Sequence, residues 1–200
     1  MENIYLKLAQ HRTLETDRLL LRPVTLDDAD DMFEYASDEE NIRFVFARHT
    51  SVEDTRNQLA RYFLSRPLGN YGIEIKESRT FIGTIVLHKI DDQLKTAAIG
   101  YCLNKHYWNQ GYATEALQAV LACAFEQVGM NKLVAFHDEA NPASGRVMAK
   151  AGMLFSHREP YAAVDKKEPG LVHEGKMGRW SQHPAGMGYP MEIFTCPMAC

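Results

Sequence analysis

The chain has 200 residues and a formal net charge of −4, enough for one domain with a real core. Its 46% apolar and 24% charged residues are those of an ordinary globular chain and exclude disorder as the main state. The mildly acidic balance argues against nucleic acid or an anionic membrane as partner.

In chain order, the opening residues lack the basic-then-apolar pattern of a secretory signal, so the expected location is the cytoplasm. Leu19-Leu20-Leu21-Arg22-Pro23 is a short apolar run stopped by proline and predicts a strand. Thr25-Leu26-Asp27-Asp28 suits a helix start, with Ala29, Met32, Phe33 and Ala36 following at helical spacing. Residues 37–50 break that pattern and predict a loop; a second helix begins at Ser51, with Leu59, Tyr62 and Phe63 on one side. Beyond Gly69 the period changes to three strands, 71–76, 80–88 and 95–103, joined by short turns as in an antiparallel meander. Residues 114–128 form a strong amphipathic helix with Gly129 placed to end it. A buried-type strand at 132–136, a helix at 144–151 stopped by Gly152, and a strand from Met153 follow. The order makes a mixed α/β domain, in which the strand–helix–strand unit from Lys95 to Phe136 is expected to be parallel with a right-handed crossover. Past about residue 166, glycine and proline punctuate a stretch of little periodicity. We therefore divide the chain into a domain at 1–166 and an atypical segment at 167–200, an irregular or interface arm with one candidate strand at 191–195.

No run of about 18 apolar residues marks a membrane span. Cys102, Cys123, Cys196 and Cys200 form no Cys-x-x-Cys pair and the histidines are scattered, so reduced thiols and no metal are expected. The chemistry points to the junction Leu103 to Ala116, where a strand runs into a helix. A helix start leaves backbone N–H groups unpaired and partly positive, a natural seat for phosphate oxygens. Gly111 lets a ligand approach the backbone closely and Ala113 keeps the next position small. One glycine before a helix also suits a plain turn. The segment is neither a Gly-Lys-Ser/Thr loop nor a Gly-x-Gly-x-x-Gly fingerprint.

Gly111 and Ala113 match the second half of the pattern Gln/Arg-x-x-Gly-x-Gly/Ala, with Trp108 at the Gln/Arg position, and the segment resembles the acetyl-CoA loop of the GNAT N-acetyltransferase superfamily. Tyr107-Trp108 through Glu115-Ala116 is similar to the branch holding the RimJ/RimL ribosomal-protein N-acetyltransferases. Asn141-Pro142-Ala143-Ser144 leading to Gly152-Met153, and Leu14-Glu15-Thr16-Asp17-Arg18-Leu19-Leu20-Leu21-Arg22, resemble further motifs of that branch, so the resemblance spans about residues 13–158.

The resemblance implies a GNAT-like acyl-CoA N-acyltransferase fold, a central mixed sheet flanked by helices, and direct transfer of acetyl from acetyl-CoA to a primary amine, either a protein N-terminus or a small molecule. It implies that Trp108, Asn109, Gln110, Gly111, Tyr112, Ala113 and Thr114 hold the diphosphate, and that Tyr101, Cys102 and Leu103 meet the thioester arm through the main chain. Asn141 would bond the arm, and Ser144 would contact it and protonate the departing thiolate. Cys102 and Leu103 also read as core, and Asn141 and Ser144 as helix-start residues. Many members of that family take a general base from a carboxylate near the central strands; Glu74, acting through water, is the candidate, although strand alternation equally leaves it on a solvated face. Glu159, Tyr161, His137 and Asp138 are further candidates, and residues 39–50 are expected to help form the acceptor site. The alternatives are a catalytically weak acetyl-CoA-binding module on the same fold and an interaction protein assembling through residues 167–200. A homodimer is the default assembly.

Overall fold

A computed structural model describes the backbone of residues 3–164 and 188–197 and the side chains of residues 3–158; the remainder of the segment 167–200 lies outside the described residues. An N-terminal helix α1 (Ile4–Gln10) opens the chain, capped by the Asn3 side chain on Tyr5 N–H. Strands β1 (Leu14–Glu15) and β2 (Leu19–Arg22) follow. A 3-10 turn (Leu26–Asp28) leads into α2 (Ala29–Ala36). The stretch read as a loop holds one helical turn, α3 (Glu39–Ile42), capped by Asp38 on Asn41 N–H. Helix α4 (Val52–Gln58) widens into a π turn (Leu59–Leu64).

The meander is β3 (Asn70–Ile75), β4 (Thr80–Asp91) and β5 (Thr96–Leu103). Helix α5 (Tyr112–Ala122) starts two residues earlier than predicted and widens into a π turn (Cys123–Val128), closed by Gly129 at φ 79°. Strand β6 (Lys132–Asp138), helix α6 (Pro142–Lys150), and strands β7 (Leu154–Val164) and β8 (Gly188–Pro197) complete the fold. One sheet runs β1-β2-β3-β4-β5-β6-β8-β7. All neighbours are antiparallel except β5 and β6, which α5 joins in parallel as expected.

Strand alternation divides the apolar residues between two cores. Leu19, Leu21, Ile73, Ile85, Ile99 and Leu133 face α1, α5 and α6, packing against Leu8, Leu117, Val120 and Met148. Phe81 and Cys102 face the other way, against Val24, Met32, Tyr35 and Leu59. The mixed, helix-flanked sheet is the expected architecture, and no helix among the described residues is long and apolar enough to cross a membrane.

The loop after α3 carries a buried titrating group. His49 is 7% exposed; its Nδ1 lies 2.9 Å from the Thr55 hydroxyl, and the Phe46 ring stands 5.2 Å away. Burial holds its imidazole below the usual value near 6.5, against the pull of Asp54. Between the folded and unfolded values the unfolded chain binds more protons. This contribution to stability is therefore complete above about pH 6.5 and is lost as pH falls toward and through the lower folded value. His49→Gln is expected to flatten the fall of Tm below about pH 6.5; an unaltered slope would place the titration elsewhere.

Candidate active site

The cleft begins where the sheet splits. Parallel pairing of β5 with β6 runs from Thr96↔Lys132 to Ile99↔Ala135 and then stops. β5 continues beside β4 as far as Gly83↔Leu103, while β6 pairs along its other edge with β8. The N–H of Asn104 turns back to Ile82 O (2.8 Å), so alternation points the main-chain groups of Tyr101 and Leu103 into the gap. The Leu103 carbonyl accepts from Trp108 Nε1 (2.9 Å) and from Asn41 Nδ2 (3.0 Å). The Cys102 side chain sits in the core beneath α2, on the opposite face.

After β5, a 3-10 turn (Lys105–Tyr107) capped by Asn104 leads to Trp108. Asn109 (φ 60°) and Gly111 (φ 85°) both adopt the left-handed conformation, which asparagine tolerates and glycine adopts freely. These two reversals aim the start of α5 at the gap. The first helical bond runs from Glu115 N–H to Gly111 O (3.0 Å). Among the described residues, the N–H groups of Gly111, Tyr112, Ala113 and Thr114 donate to no protein acceptor.

The loop is braced from outside by the turn between β1 and β2. Arg18 donates to Gln110 O (3.0 Å), pairs with Glu115 (2.7 Å), and lies 4.3 Å above the Tyr112 ring. Glu115 also accepts from the Thr16 hydroxyl (2.6 Å) and Arg18 N–H (3.0 Å). Burial pushes the Glu115 carboxyl up, but the bonds from Thr16 and Arg18 outweigh it and hold it below its ordinary value. The Gln110 side chain bonds His106 O (3.0 Å), so this residue serves the loop rather than the cleft wall.

Helix α6 supplies the facing wall. Asn141 caps it by accepting from Ser144 N–H (3.3 Å), and Ser144 Oγ lies 2.9 Å from the Tyr101 hydroxyl. Together the loop, the end of β5, α6 and residues 40–45 enclose about 540 Å³. Arg43, Arg146 and Lys150 line this space and form no ion pair among the described residues. Glu40, the one acid among the described residues that line it, is held by Lys105 (3.0 Å). A cationic cleft in a chain of net charge −4 suits an anionic ligand.

Glu74 is elsewhere. It is 5% exposed on β3, bonded to Arg22 Nε (2.6 Å), with Arg79 Nε 3.1 Å from its other oxygen but not aligned for a hydrogen bond. The solvated face does not fit, and the carboxylate is bonded to Arg22 outside the residues that line the cleft. His137 is buried with Nδ1 on Asp138 O (2.8 Å) and its ring against Gly145, also away from the cleft. The side chains of Glu159 and Tyr161 lie outside those described.

The other predicted residues, Tyr101, Cys102, Leu103, Trp108, Asn109, Gly111 through Thr114, Asn141 and Ser144, come together around the cleft. In the sequence Arg18 stands out only within a family motif and Asn41 only within the stretch 39–50 expected at the acceptor site; neither has a role of its own there. The buried Asn41 clasps the end of β5, donating to Leu103 O and accepting Lys105 N–H (2.6 Å). Lys105 Nζ reaches both Asp38 (2.7 Å) and Glu40, so the segment 38–41 is tied to the loop through the Lys105 main chain and side chain alike.

Residues 18–154 match the acetyltransferase (GNAT) domain family. An uncharacterized N-acetyltransferase of Bacillus subtilis, YoaA, is 32% identical over 144 residues, covering 70% of this chain and 81% of its own. A GNAT-family acetyltransferase from Bacillus anthracis superposes with a TM-score of 0.74 at 24% identity, covering 93% of this chain and 98% of its own. The microcin self-immunity acetyltransferase MccE, solved in complex with acetyl-CoA and AMP, superposes at 0.71 with 17% identity, covering 91% and 93%.

Proposed function

The chain belongs to the GNAT acetyltransferase family, and from that premise we propose that it takes an acetyl group from acetyl-CoA seated at residues 108–114 and passes it directly to a primary amine. The single observation that carries this reading is the row of four unclaimed amides at the start of α5, facing a split in the sheet. A diphosphate satisfies those amides, and the cationic wall of Arg146 and Lys150 complements the remaining negative charge of the donor. The gap between β5 and β6 then receives the thioester arm as an added strand would be received, with Asn141 on its far side.

In the reaction the amine nitrogen attacks the thioester carbonyl, and the sulfur leaves with the bonding electrons. Holding both reactants together supplies much of the rate. The inward N–H groups of Tyr101 and Leu103 polarise the carbonyl oxygen as it gains charge. With Glu74 committed to Arg22, the amine enters as its free base and loses its surplus proton to water.

The finer placement beside the RimJ/RimL branch rests on the motifs at 107–116 and 141–153 and makes a peptide N-terminus the first acceptor to try. The test is thiol release from acetyl-CoA with a panel of free peptide N-termini, polyamines and amino acids. The expected result is release with one amine class. Acetyl-CoA binding without release from any amine would favour the non-catalytic module, and no binding at millimolar concentration would overturn both readings. Reversing charge with Lys150→Glu is expected to raise the KM for acetyl-CoA about tenfold, less at high salt; an unchanged KM would put the anionic end of the donor elsewhere.

A further inference from the structure

Tyr101 is placed twice over in this site. Its main chain turns into the gap, and its side chain crosses to α6, where the hydroxyl lies 2.9 Å from both Ser144 O and Ser144 Oγ. Burial pushes the phenol up to about 12, against the bond to Ser144, so it keeps its proton throughout the working range and acts as a donor. A phenol has one proton and two acceptors within reach here. If it donates to Ser144 O, its oxygen draws the serine proton toward itself, away from the cleft. If it donates to Ser144 Oγ, the serine proton is free to turn into the cleft that Ser144 lines.

We propose that Tyr101 is a positioning residue whose hydroxyl donates to Ser144 Oγ and thereby directs the serine proton at the sulfur leaving the acetyl group. The inference rests on the acetyl transfer proposed above. The C–N bond forms, the C–S bond breaks, and its electron pair stays on sulfur. Sulfur takes the Ser144 proton, Ser144 recovers one through water from the attacking amine, and Tyr101 keeps its own.

The test needs the product rather than an identified acceptor. Coenzyme A labelled with carbon-13 beside its sulfur is bound to the chain and its thiol is titrated by NMR. Ser144→Ala is expected to raise the bound thiol pKa by about one pH unit, the worth of a charge-assisted bond to the thiolate. Tyr101→Phe should raise it by part of that amount, and the double variant should match Ser144→Ala alone. A 3-fluorotyrosine at position 101, a stronger donor, should lower it. Shifts that add in the double variant, or no shift in either Tyr101 variant, would overturn the inference while leaving acetyl transfer standing. A wild-type chain that binds no coenzyme A would overturn both.

Discussion

Gly111→Glu is expected to weaken acetyl-CoA binding by about a hundredfold or more while the chain still unfolds cooperatively. Gly111 holds φ at 85°, and a Cβ there would stand 3.3 Å from the Arg18 guanidinium. A residue with a side chain pays about 1–2 kcal/mol to stay left-handed, so the loop relaxes and its amides lose their common aim. A carboxylate brought into the phosphate seat adds like-charge repulsion, which the neighbouring Arg18, already paired with Glu115, offsets only in part. Calorimetry with acetyl-CoA measures the change, and unaltered affinity in a folded variant would remove the proposed phosphate seat.

Arg22→Ala is expected to bring the largest loss of stability, about 3–5 kcal/mol, or roughly 10 °C in Tm. Arg22 is the hub of a buried charge cluster whose residues do not line the cleft. Its guanidinium bonds Asp28 (2.7 Å) and Glu74 (2.6 Å), carboxylates that are 4% and 5% exposed. Asp28 first, and Glu74 after it, raise the arginine further above its already high value, against burial. Removing the cation leaves Asp28 buried without its counter-charge and Glu74 with only the exposed Arg79 beside it; removing one carboxylate leaves the arginine still paired. Glu74→Gln should therefore cost less stability and leave turnover with acetyl-CoA close to wild type. A Glu74→Gln chain that folds but has lost turnover would restore Glu74 as the base.

These two sites also divide what a local reading of sequence reveals from what it does not. The junction at 103–116 was legible because its signals are contiguous: a strand, a glycine, and an apolar face repeating from Ala116 to Val128. The strands of the meander were legible from alternation and short turns. Helix α1 was not, because seven residues bearing Ile4 and Leu8 are too few to establish a period, and its stability comes from docking on the sheet. The turn at 39–42 had its signal in Asp38 followed by two glutamates, but it is a single turn with only Asn41 and Ile42 buried.

Partnerships were the least legible part. Alternation places Glu74 on one face of β3 but does not say that Arg22, 52 residues earlier, waits there. The Arg18–Glu115 brace spans 97 residues, the Asn41 clasp 62, and the Tyr101–Ser144 contact 43. Such pairs are created by the order of strands in the sheet. The partners of Arg18 and Asn41 therefore stay hidden until the topology is known.

In the proposed reaction the amides opening α5 grip the donor's diphosphate. Backbone amide resonances followed while coenzyme A is titrated into the nitrogen-15-labelled chain report on that grip. The largest displacements are expected on Gly111, Tyr112, Ala113 and Thr114, moving downfield as they gain an anionic acceptor, and Gly111→Glu is expected to abolish them. Saturable binding that leaves those four resonances in place, with the largest changes elsewhere on the sheet, would contradict that grip.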